Sequence, residues 1–263
     1  MHRSYTSTTE RAYFCLLYFG VHGVDKRTKN LSLTGNLKFD SAPLGTIDHD
    51  VSKIKLQIGN RPFWIAASTH LGEEEIIAKT HQRLVKKYPD LLTIICPRHP
   101  SRSAALANDF KSYGLNIALR SKNELIIPKT DIYFADTLGE MGTFYHIAEI
   151  AFIGGSLVPQ SGHNPIEAAQ LRCALISGLN MQNFTDAADA LVSCKGLVMV
   201  SNEVDLANTI DTWLSDEQSL KEAQYAASKC ATLLTGALDK TLVQLQPFLD
   251  LLDDKRKTSH ETP

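Results

Sequence analysis

Short, mostly apolar runs at residues 63–67, 91–96, 116–119, 131–135, 150–153, 174–177 and 197–200 predict strands. The runs at 91–96 and 150–153 show no polar alternation, as befits strands covered on both faces. Segments with a period near 3.6 lie between them. Ile76, Ile77, Thr80, Leu84 and Tyr88 mark one face of a helix predicted over 73–88. Further helices are predicted over 101–113, 186–192, 203–214, 217–234 and 237–252. Another should open at the capping-box pattern Thr137-x-x-Glu140 and run to 149, and one more after Asn164. Strands alternating with helices at this spacing predict an α/β fold, a Rossmann-like parallel sheet with helices on both faces. In such sheets ligands bind outside the carboxyl ends of the strands. The loops that follow strands are therefore where chemistry is expected.

Four of these loops stand out. After the first strand comes Ser68-Thr69-His70-Leu71-Gly72-Glu73-Glu74, whose hydroxyls and amides can hold a phosphate or simply cap a helix. Pro97-Arg98-His99-Pro100-Ser101-Arg102 follows the second. Its arginines can clamp a phosphodiester, guanidinium being suited to bidentate phosphate contact, or can stay solvated. Cations are unfavourable near a helix start, which favours the first alternative. Asp136-Thr137-Leu138-Gly139-Glu140-Met141-Gly142 can offer amides to a base or phosphate, although the capping box alone explains Thr137 and Glu140. The fourth, Gly154-Gly155-Ser156-Leu157-Val158-Pro159-Gln160-Ser161-Gly162-His163-Asn164-Pro165-Ile166-Glu167, joins a glycine loop to a helix start, with Asn164 as N-cap and Pro165 at the first helical position. Glu167 can accept from both hydroxyls of a ribose, or pair with Asn164 in the cap. His81 reads as solvated on a surface helix and His146 as half-buried packing. No Ser-His-Asp order, HExxH or P-loop is present.

Bulk composition narrows the field only a little. The 263 residues suffice for one large domain or two small ones. A net charge of −2 gives no basic field for nucleic acid. Cys15, Cys96, Cys173, Cys194 and Cys230 lack metal-like spacing and read as reduced, mostly buried thiols. The apolar stretch at 12–21 is about half of what a bilayer span needs.

Together the loops resemble the C-terminal donor-binding half of the 3-deoxy-D-manno-octulosonic acid (Kdo) transferases. The matching text is Thr34-Gly35-Asn36-Leu37-Lys38-Phe39-Asp40, Ser68-Thr69-His70, Gly72-Glu73-Glu74, Pro97-Arg98-His99-Pro100, Arg102 and Arg120-Ser121. It continues with Asp136-Thr137-Leu138-Gly139-Glu140, Gly154-Gly155-Ser156-Leu157-Val158 and Gly162-His163-Asn164-Pro165-Ile166-Glu167-Ala168-Ala169. It covers residues 31–247. Ser161 stands where the family pattern has glycine, and the segment after Gly178 lacks the pattern's Pro-His.

The resemblance implies a GT-B glycosyltransferase that moves Kdo from CMP-Kdo to a lipid A precursor in lipopolysaccharide synthesis, without metal or cofactor. Donor contacts carried over by motif are Ser68, Thr69, Arg98, His99, Arg102, Leu138, Gly139, Glu140, Met141, Gly155, Ser156, His163, Asn164 and Glu167. The family's N-terminal domain supplies the acceptor site and a glutamate base, and no residue here maps onto that base. The expectation is therefore a donor domain over 31–252, an unassigned segment at 1–30 and a frayed tail at 253–263. Such a chain would work with a separate acceptor-domain chain, in the cytoplasm or at the cytoplasmic face of the inner membrane. The alternatives are a non-catalytic CMP-sugar-binding remnant or half of a split enzyme, and a GT-B enzyme using a UDP-sugar.

Overall fold

The structure is a computed structural model and describes residues 32, 34–40, 42–46 and 48–259. The segment at 1–30, with its apolar stretch and Cys15, lies outside the described residues, as do Leu31 and Leu33.

Seven strands form one parallel sheet. They are β1 (Phe63–Thr69), β2 (Leu92–Pro97), β3 (Ile117–Leu119), β4 (Ile132–Phe134), β5 (Ile150–Ile153), β6 (Ala174–Ser177) and β7 (Leu197–Met199). Their order is β3-β4-β2-β1-β5-β6-β7. Every residue of β2, β4, β5 and β6 is buried, so both faces are covered, as the apolar runs imply. The order reverses direction at β1: the chain builds outward on one side through β2, then returns to add β5 on the other. In such sheets the ligand crevice is expected beside this switch point, outside the carboxyl ends of the strands.

The helices are α1 (Asp48–Ile58), α2 (Glu73–Leu84), α3 (Ser103–Ser112), α4 (Met141–Ile147), α5 (Ile166–Gln170), α6 (Thr185–Ser193), α7 (Glu203–Ser215), α8 (Glu217–Leu234) and α9 (Ala237–Ser259). Helix α2 packs on α7, and α1 on α4. Trp64, Phe134 and Phe152 from the strands and Phe144 from α4 are fully buried.

The chain divides into two compact units. Ser41–Leu233 holds the whole sheet. In the second, whose described part is residues 32, 34–40 and 234–259, the Asp40 carboxylate accepts from the backbone N–H groups of Gly236 and Leu238 and so caps α9. Thr241 Oγ1 donates to Thr34 Oγ1 at 2.9 Å. Helix α9 continues to Ser259, into the stretch expected to fray.

Several local expectations need correction. Helix α1 is not foreseen by the sequence analysis, although Val51, Ile54 and Ile58 mark its buried face. Helix α2 ends at Leu84, where the Val85 N–H reaches His81 O and the chain tightens into turns before Tyr88. Helix α4 begins at Met141, so Thr137 is not its cap. Helix α5 begins at Ile166, one residue later than expected, yet Asn164 caps its start: Oδ1 accepts from the Ile166 N–H at 3.0 Å and Pro165 already holds helical angles. His81 is fully buried, with Nδ1 sharing a hydrogen bond of 2.9 Å with Thr93 Oγ1. His146 is exposed.

Candidate functional site: a cleft at the strand ends

A cleft of about 230 Å³ opens beyond the carboxyl ends of β1, β2 and β4. Ser68 reaches it from the end of β1, Pro97 and Arg98 from the end of β2, and Thr137, Leu138, Gly139 and Met141 from the loop after β4. Glu167 enters from the first turn of α5, and Leu44, Cys96, Ala135 and Phe144 complete the lining. Of the expected donor contacts, the fold thus gathers Ser68, Arg98, Leu138, Gly139, Met141 and Glu167 around one hollow.

The backbone is shaped for this convergence. Ser68 sits in the left-handed region at φ 56°, where β1 shifts register against β2. A side chain at Gly154 would stand 2.5 Å from Ser68 O and 2.7 Å from Ala67 O, so only glycine lets β5 leave the sheet this close to β1.

The glycine loop does not serve as expected. The Glu73 carboxylate at the start of α2 accepts from the N–H groups of Gly155 at 2.6 Å, Ser156 at 2.9 Å and Leu157 at 2.9 Å, and from His70 at 2.9 Å. A side chain of the protein already fills that nest of amides, which corrects the reading of Gly155 and Ser156 as anion contacts. Burial raises the Glu73 carboxyl above its ordinary range, and the four backbone donors pull it back.

The arginines also divide. Arg102 forms a two-bond fork with the buried Glu74, Nη1 to Oε1 at 2.9 Å and Nη2 to Oε2 at 3.2 Å, and Thr69 Oγ1 donates to the same carboxylate at 3.1 Å. Glu140 pairs with Arg120 through Nε at 2.6 Å and through a short Nη2 contact, accepts from Thr137, and leaves Arg120 a further bond to Asp50 at 3.2 Å. Thr69, Arg102 and Glu140 are therefore engaged inside the chain and are absent from the cleft lining, contrary to expectation. Arg98 is different: it is exposed, lines the cleft and holds no ion pair among the described residues. The anchored Glu140 fixes the loop carrying Leu138, which is 79% exposed at the rim.

Glu167 is half-buried and accepts from Asn164 Nδ2 at 3.1 Å. Burial raises its carboxyl and the Asn164 bond opposes this. Asn164 thus orients the carboxylate rather than lining the cleft itself. Burial pushes the Cys96 thiol up, so Cys96 stays protonated and is no nucleophile.

Beside the cleft stand three imidazoles. His70 Nε2 and His163 Nε2 are 2.8 Å apart, and the two rings lie end to end within 11° of parallel, with centroids at 5.1 Å. His99 meets His70 edge-on at 5.8 Å. Sequence reasoning named His99 and His163 but passed over His70, Glu73 and Arg120 as site-forming residues. His70 sits in the matched Ser68-Thr69-His70 text, a signal that was there to use.

Known proteins resemble this chain in sequence and fold. The 3-deoxy-D-manno-octulosonic acid transferase of Haemophilus influenzae is 37% identical over 227 residues, which are 84% of this chain and 52% of that protein. A probable mitochondrial enzyme of the same name from Arabidopsis thaliana is 39% identical over 192 residues, 72% of this chain and 43% of its own. The chain is a homologue of the Kdo transferases. It spans about half the length of the curated relatives it matches. Among solved structures, the C-terminal CMP-Kdo binding domain of WaaA from Acinetobacter baumannii superimposes with a TM-score of 0.66 at 25% identity, covering 69% of this chain and 96% of that domain. The fold is that of the GT-B glycosyltransferase C-terminal half, as the alternating pattern and the motifs together led one to expect. No protein-family model matches the chain. Among the described residues of this Kdo transferase homologue, no helix is long and apolar enough to cross a membrane, and no group of three His, Cys, Asp or Glu side chains is placed to hold a metal ion.

Proposed function

We propose that the cleft binds CMP-Kdo as donor and that the chain serves transfer of Kdo to a lipid A precursor, at the cytoplasmic face of the inner membrane. One observation carries this reading: Ser68, Arg98 and Glu167, from three separate strand-end loops, line one cleft in a chain homologous to Kdo transferases. Glu167 receives the ribose hydroxyls, with Asn164 setting its angle. Arg98 meets the phosphate, and Leu138, Gly139 and Met141 bound the nucleotide. In the reaction an acceptor hydroxyl attacks the anomeric carbon, the bond from that carbon to the phosphate oxygen breaks, and CMP departs with an added negative charge. Arg98 stabilises that charge, a use of fixed electrostatics at the leaving group. The hydroxyl proton passes to a general base in the acceptor-binding domain, on this polypeptide or another.

Calorimetry with CMP tests the reading. Glu167→Ala is expected to weaken binding by about 1–3 kcal/mol, the usual loss when hydrogen bonds to a charged acceptor go. An unchanged dissociation constant in a folded variant leaves Glu167 only its cap pairing with Asn164 in the first turn of α5. Tighter binding of UDP than of CMP overturns the choice of donor.

A further inference from the structure

Charge balance at the cleft is incomplete. Its lining carries one cation, Arg98, and one carboxylate, Glu167, among the described residues. The neighbouring guanidinium groups are already neutralised, Arg102 by Glu74 and Arg120 by Glu140 and Asp50. An acidic sugar joined to CMP brings two negative charges, one on the phosphodiester and one on the sugar carboxylate. Arg98 can balance one of them.

The histidine pair stands outside the lining but close enough to Arg98 to feel its charge, and it can supply the other. A hydrogen bond between two ring nitrogens needs one proton between them, so the His70 and His163 rings share an Nε2–H···Nε2 bond when both are neutral. One added proton keeps that bond, makes the pair cationic and leaves both Nδ1 atoms as donors. A second would set two N–H groups against each other at 2.8 Å and break it. With the cleft free of anion, burial holds both rings neutral, His163 down to about 4, and the neighbouring Arg98 and His99 push the same way. Arg102 adds to this at His70, while Glu74 opposes it but is committed to Arg102. Glu73 faces the His70 backbone, with its charge engaged by four amides. An anion seated on Arg98 reverses the field that keeps a proton away.

We infer that the His70–His163 pair takes up one proton from solvent when an acidic sugar nucleotide binds, and that the resulting cation recognises the sugar carboxylate. The inference rests on the reading of the cleft as a CMP-Kdo site and adds to it the device that selects an acidic sugar.

Calorimetric titration of the full chain with CMP-Kdo at pH 7.5, in buffers of different ionisation heat, tests it. The expected uptake is about one proton per donor bound, with affinity falling up to about tenfold per pH unit above neutrality, the limit for one linked proton. His70→Gln and His163→Gln should each abolish the uptake and flatten the pH profile. A purely structural role would weaken binding equally at every pH. If the variants do not fold, nitrogen NMR of the wild-type histidine rings decides: the pair should gain the cationic pattern of one ring on adding CMP-Kdo, with the Nε2–H···Nε2 bond kept. No uptake by the wild type, uptake that persists in both folded variants, or ring signals that stay neutral overturn the inference while CMP-Kdo binding still stands. Failure of CMP-Kdo to bind at all overturns both readings.

Discussion

Ser161 shows how much one backbone angle can reveal. It holds φ 65°, in the left-handed region, immediately before Gly162 at φ 70°. A side chain there costs about 1–2 kcal/mol, and glycine does not bear that cost. The glycine of the family pattern at this place now has a physical reason, which the sequence alone could note but not explain. Ser161→Gly should stabilise the fold by about 0.5–1 kcal/mol, somewhat less than the strain because glycine also loosens the unfolded chain. A rise in the urea midpoint with an unchanged slope checks this. The Asn183 N–H bond to Ser161 O is made by backbone and should survive the change. Arg98 and Arg102 teach the complementary point. Four positions apart on one loop, they look equivalent in sequence, yet one is held by a buried carboxylate and the other is open to the cleft.

At the scale of elements, helix α2 is legible from its periodic apolar face, but its first residue has a task that no period reveals. Glu73 joins α2 to the loop after β5 through three amides, across more than eighty residues of chain. Glu73→Gln keeps the size and puts an N–H₂ group among N–H donors. Each donor left unpaired in the interior costs about 1–3 kcal/mol, so a loss of roughly 2–4 kcal/mol is expected. Chemical denaturation measures it, and a loss below about 1 kcal/mol would mean the nest has another way to be satisfied. Strands were the easiest elements to read, because β2, β5 and β6 are buried on both faces and so carry little polar residue. Caps were the hardest. Both Thr137 and Asn164 resemble cap residues, yet only Asn164 caps its helix, through the Ile166 N–H; Thr137 donates to Glu140 instead and α4 starts later.

For the molecule as a whole, buried neutral histidine links stability to pH. His81 projects from α2 onto Thr93 of β2, its Nε2 without a hydrogen-bond partner among the described residues, and burial lowers it to about 4 from an ordinary value of 6.5. The unfolded chain therefore takes up this proton first. The stability is fully present above pH 6.5 and falls by up to about 1.4 kcal/mol per pH unit as the pH drops from 6.5 towards 4. Thermal unfolding across that range should show the decline, and His81→Leu should make it shallower. A decline of the same steepness in that variant would assign the acid sensitivity to other groups. Reading His81 as solvated failed for a physical reason: α2 is covered by α7 as well as by the sheet, so a position that looks lateral on an isolated helix has no water.

By itself the sequence determined the alternation of strand and helix, because the period of apolar residues follows directly from backbone geometry. It also determined the homology to the Kdo transferases, because the motifs occur in one order with compatible spacing. Only the tertiary structure decided which polar groups remain available. Glu73, Arg102 and Glu140 are engaged by partners far away in the chain, whereas Arg98 and Glu167 meet in the cleft. Availability of a charge depends on what else lies within about 3 Å of it, and that is settled when distant segments pack, not along the chain.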